Sequence, residues 1–82
     1  MAEERGNDER SAADWIRQFA GAIGEKPPDR DQMDRILKLA AVAAHASHRT
    51  AAPMACWLAG ISGRDLDELI AEAERITGEP LA

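Results

Sequence analysis

One stretch of the chain gathers most of the side chains that could do chemistry: HASHRTAAPMACWLAG, from His45 to Gly60. It holds both histidines, the single cysteine and one of the two tryptophans, and it contains no carboxylate. His45 and His48 are three residues apart, so on a helix they share a face. Two imidazoles at that spacing, with Cys56 as a third ligand, could hold Zn²⁺, but a structural zinc site takes four ligands and the chain has no further Cys or His. A nucleophilic Cys56–His pair would need a third group to orient it and a substrate pocket, and the sequence marks neither. Between Ala55 and Trp57 the cysteine reads more simply as a small hydrophobe. His45, set among alanines, reads as a core histidine bonded to a carbonyl or a neighbouring side chain. On that reading His45→Ala costs about 1–3 kcal/mol.

Arg49 stands just before Thr50, which can cap a helix. A helix start offers unbonded N–H groups and the positive end of the dipole, and both suit a phosphate or a carboxylate. His45, His48, Arg49, Thr50 and Trp57 are therefore the candidate residues for binding an anion or a partner. The plainer reading of Arg49 is that it ends the preceding helix with a charge favourable to its dipole. Trp15 and Trp57 are read as core residues; exposed beside Met54, a tryptophan would be an interface anchor instead. No catalytic residues are assigned, and no metal or cofactor is expected.

The charge pattern points to the same region. The chain carries fifteen Asp and Glu, yet none falls within residues 35–64. There the formal charges are all positive: Arg35, Lys38, Arg49 and Arg64. The net charge of −5 disfavours nucleic acid, whose phosphates need a basic surface, and it equally disfavours an anionic membrane. A lone cysteine closes no intrachain disulfide, and the start, MAEERGNDER, has no apolar stretch. A cytoplasmic location is expected. The longest uncharged run, Thr50 to Gly63, is fourteen residues and includes Pro53, too short to span a bilayer.

These residues must be positioned by a small scaffold. Eighty-two residues make at most one domain, and alanine supplies nearly half of the 45% apolar content. A chain of this size gains from a second surface to pack against. Residues 1–10 read as a disordered acidic tail. Ser11 with Asp14 can cap a first helix over 11–23, with Trp15, Ile16, Phe19 and Ile23 on one face. Gly24 then stops it, and Pro27 and Pro28 hold the linker extended.

Asp29 or Asp31 caps a second helix over 29–48. Met33, Ile36, Leu37, Ala40 and Ala44 form its first stripe. Leu39, Val42, Ala43 and Ala46 lie on another side, so its second half reads as the centre of the bundle or half of an interface. A third helix over 51–60 carries Met54, Trp57, Leu58 and Ile61. The last, over 63–77, is capped by Ser62 with Asp65 and shows a stripe of Leu66, Leu69, Ile70, Ala73 and Ile76. Gly78 and Pro80 end it, leaving 79–82 as a tail. The expected fold is all-α, a small four-helix bundle spanning 11–78.

Taken together, Trp15, the segment Leu39–Ala40 to Ala44–His45, Arg49, Ala51–Ala52–Pro53 and Trp57–Leu58–Ala59–Gly60 resemble a small helical domain common in actinobacteria. That family has no assigned function, and it occurs alone or fused to molybdenum-cofactor guanylyltransferase. The likeness runs from about Asp14 to Ile76. The chain departs from the pattern in having Trp57 where Phe is expected, and in the short ISGRD connection. The resemblance implies an accessory role near molybdenum-cofactor (molybdopterin guanine dinucleotide) biosynthesis or molybdoenzyme maturation. It implies no catalytic residues.

The resulting expectation is a non-enzymatic binding or adaptor module that docks on a cofactor-synthesising or cofactor-inserting enzyme. The alternatives are a small-molecule or metal sensor built on His45, His48, Arg49 and Cys56, or a homodimer packed through the alanine-rich helix.

Overall fold

Helix starts and stops explain the layout before any packing is considered. The computed structural model describes residues 9–78 as four helices: α1 (Glu9–Ile23), α2 (Arg30–Ala46), α3 (Ala51–Ser62) and α4 (Leu66–Thr77). The all-α, four-helix expectation holds, and no strand occurs among the described residues. Asp29 caps α2 through a reciprocal box: its carboxylate accepts the Gln32 N–H at 2.8 Å, and the Gln32 side chain accepts the Asp29 N–H at 2.9 Å. Asp65 caps α4 by accepting the Glu68 N–H at 3.2 Å. Gly24 and Gly78 follow α1 and α4 at φ 79° and 95°, the left-handed conformation that lets the chain leave a helix.

Four expectations about boundaries are corrected. α1 takes in Glu9, Arg10 and Ser11, so Ser11 is not its cap; the rest of the expected tail, 1–8, and the tail 79–82 lie outside the described residues. α2 ends at Ala46, before His48. Thr50 makes no side-chain cap bond to α3. Ser62 belongs to α3 rather than to the start of α4: its hydroxyl donates to the Ala59 carbonyl at 2.8 Å.

Packing is uneven. α2 is the axis on which both α3 and α4 lie, while α1 makes at most marginal contact with the other helices. Leu39 and Val42 on α2 and Ile70 on α4 are buried, Val42 to 1% exposure. The second half of α2 is thus the centre of the packing, as its change of apolar face suggests, whereas Leu37, expected in the stripe, points outward. A polar clamp reinforces the α2–α4 contact. The Arg35 guanidinium donates to Asp31 at 2.6 Å and to Asp67 at 2.9 Å. Both carboxylates hold its pKa above the ordinary arginine value.

Candidate functional site

α3 is apolar on every side, so the sequence leaves open which side meets α2. The structure turns its small residues inward. Ala51, Ala52, Ala55, Cys56 and Ala59 are half-buried, while Met54, Trp57, Leu58 and Ile61 are exposed. The short connection Ser47–Thr50 brings α3 back onto α2, and small side chains permit the close approach. The Cys56 thiol reaches toward the Ile36 carbonyl at 3.9 Å across that seam. The large side chains, spaced i, i+3, i+4 and i+7, therefore form an outward stripe. The expectation that Trp57 and its neighbours fill the core is corrected: Trp57 is 64% exposed.

α1 repeats the pattern. Ala20 is buried and Ala13 and Ile16 are half-buried, so the edge they share is the less exposed one. Trp15, Phe19 and Ile23 stand on the open edge, and Trp15, also read as a core residue, is 60% exposed. Its ring stacks on Phe19 with centroids 5.2 Å apart. Monomeric proteins rarely expose contiguous apolar patches beyond a few hundred Å². Two such stripes, one on α1 and one on α3, stand uncovered in the structure.

The histidine–arginine cluster is built differently from the sequence expectation. His48 Nδ1 accepts the Thr50 N–H at 3.3 Å and lies 3.2 Å from the Thr50 hydroxyl. The next two amides are also used, Ala51 N–H bonding to the His48 carbonyl at 2.8 Å and Ala52 N–H to the Arg49 carbonyl at 3.2 Å. Pro53 has no N–H. The first turn of α3 therefore has no spare donor to cradle an anion, and Arg49 is left as the charge there. Arg49 is exposed and has no ion pair among the described residues. Of the other cations in the carboxylate-free segment, Arg35 is held by Asp31 and Asp67, and Arg64 lies 3.5 Å from Glu68. Sequence reasoning missed Arg35 as a clamp because its partner Asp67 lies more than thirty residues along the chain.

No recorded bond among the described residues joins His45, Arg49 or Trp57 to the His48–Thr50 pair. His45 is exposed rather than buried, so its reading as a core histidine is corrected. His45→Ala is now expected to change unfolding free energy by no more than about 0.5 kcal/mol, as at other exposed positions, measurable by urea titration. Nor do His45, His48 and Cys56 converge: among the described residues no three His, Cys or carboxylate groups stand close enough to share a metal ion.

Partial burial against α2 pushes the Cys56 thiol up from its ordinary pKa. The thiol, not the thiolate, is then favoured in the folded chain, which is the wrong direction for a nucleophile. The pH profile of its alkylation by iodoacetamide should have a midpoint above that of the urea-unfolded chain. Because the folded value is the higher one, this group's contribution to stability is complete below the unfolded pKa and fades as pH rises through the folded one.

An open groove runs between α2 and α4, lined by Asp31, Asp34, Arg35, Lys38, Asp67 and Glu74. The Arg35 clamp with Asp31 and Asp67 forms part of its wall. No helix among the described residues is long and apolar enough to cross a membrane.

Residues 7–79 match the model of a domain family described as a domain of unknown function, DUF6457. The chain belongs to that family. No curated protein and no solved structure is detectably similar to it.

Proposed function

We propose, from that membership and from the surface just described, that the chain is a non-enzymatic adaptor that docks on a protein partner through the outward face of α3. One observation carries the reading. α3 packs its alanines inward and presents Met54, Trp57, Leu58 and Ile61 to solvent, the reverse of what a helix serving only its own core would do. Large apolar and aromatic side chains at the centre of an uncharged face are what interface anchors consist of. The partner's chemistry follows from the rim. A matching face offers an apolar groove to α3, with carboxylates where Arg49 projects.

The resemblance to the domain found fused to molybdenum-cofactor guanylyltransferase supports placing the adaptor beside that enzyme. In this reading it works in the cytoplasm, accessory to molybdopterin guanine dinucleotide synthesis or to molybdoenzyme maturation. The test is a binding titration of the chain with the guanylyltransferase by sedimentation velocity. Arg49→Ala should weaken binding about three- to tenfold, the scale of a rim charge of roughly 1 kcal/mol, with little change in thermal stability. Raising salt should reproduce the loss, because the screening length falls from about 10 Å at 0.1 M to about 3 Å at 1 M. Absence of binding by the wild-type chain would refute the assignment of this partner.

A further inference from the structure

The outward stripes of α1 and α3 are both uncovered in the single chain, and their dimensions match. At about 1.5 Å per residue, Trp15 to Ile23 runs roughly 12 Å and Met54 to Ile61 roughly 10 Å. Neither face would bury an uncompensated charge. α3 has none, and beside the α1 stripe Asp14 is paired with Arg17. We infer that the resting occupant of the α3 face is a second copy of this chain, bound by reciprocal exchange: α1 of each copy lies on α3 of the other.

The areas support two-fold closure. Seven large apolar residues on the two stripes are 49–64% exposed. At roughly 100–150 Å² each, they approach the about 800 Å² per partner that a stable interface needs. Either stripe alone falls short. A reciprocal pairing uses both stripes of both copies and closes on itself, leaving neither stripe open for further growth. The inference rests on the reading of α3 as a docking face, and it adds that a partner must displace α1 to reach it.

The experiment is light scattering on the full chain over a concentration series, with Phe19→Glu, Trp57→Glu and an equimolar mixture of the two. Both substitutions lie on exposed faces, and circular dichroism checks that each variant retains its helices. The wild type should have twice the 8.9 kDa mass of the chain. Each variant alone should be monomeric, its dissociation constant raised by at least about a hundredfold, because the two-fold pairing loses the anchor at both of its contacts. The mixture should recover a weaker dimer, because the α1 of Trp57→Glu can still lie on the α3 of Phe19→Glu.

Three results would overturn the exchange. A monomeric wild type would do so, whether its tryptophans are exposed or have been covered by α1 folding back within the chain. A dimer untouched by Phe19→Glu would indicate α3 against α3. A mixture that stays monomeric would exclude reciprocity. The adaptor reading fails separately, if monomeric Phe19→Glu with its open α3 face does not bind the guanylyltransferase.

Discussion

Leu39→Ala is expected to remove about 2–5 kcal/mol of stability, the range for large-to-small changes at buried aliphatic sites. Leu39 is 4% exposed and lies on α2, the helix that both α3 and α4 pack against, three residues before Val42, the most deeply buried side chain among the described residues. A chain of this length should hold only about 4–12 kcal/mol in total. The loss is thus a large share of what is available. Urea unfolding monitored by circular dichroism should show the midpoint falling steeply or the cooperative transition disappearing. Leu37→Ala, two residues away and exposed, should shift the midpoint little.

Trp57→Glu is expected to do the opposite: leave the monomer fold intact and weaken the proposed docking on the guanylyltransferase roughly a hundredfold. The indole is 64% exposed, and the inward face of α3 is made of Ala51, Ala52, Ala55, Cys56 and Ala59. The substitution therefore removes no core packing. It puts a carboxylate at the centre of an apolar face, where a bound partner would strip it of water without supplying a counter-charge. A loss of about 2 kcal/mol or more is usual for a central aromatic anchor, and the buried charge adds to it. Helicity should match wild type, and binding by sedimentation should fail at concentrations that saturate the unsubstituted chain. The contrast with Leu39→Ala separates a surface that holds the fold from one that holds something else.

Much of the fold is legible in the sequence because its punctuation is local. Asp29 with Gln32, Asp65 with Glu68, and Gly24 and Gly78 each act within a turn of their own position. What the sequence leaves open is sidedness. Periodicity identifies an apolar face only where the other face is polar, as over Leu66, Leu69, Ile70 and Ala73 of α4; Ile76, expected in the same stripe, is instead 74% exposed at the helix end. α3 has no polar face, so its pattern does not say which side turns inward, and size alone suggests Trp57. The structure reverses this because the close α2–α3 seam takes only small side chains. His45 misled for a related reason. Surrounding alanines suggest burial, yet Ala41 and Ala46 on the same helix are themselves exposed. Of the candidate cluster, only His48 and Thr50 meet, through a bond that spends the donor an anion would have used. Arg49 and Trp57 keep their candidacy as rim and anchor of a protein-docking face.

The most direct test of that face is the solvent exposure of Trp57 itself. A chain carrying Trp15→Phe and labelled with 5-fluorotryptophan reports on Trp57 alone. Its ¹⁹F resonance can be compared in H₂O and D₂O, first at high dilution, then at rising concentration, then with the guanylyltransferase added. The predicted result is a full solvent isotope shift in the dilute chain that is lost on association with a second copy or with the enzyme. A shift that persists through high concentration and saturating enzyme would contradict the account, because the stripe that α3 holds outward would then meet neither occupant.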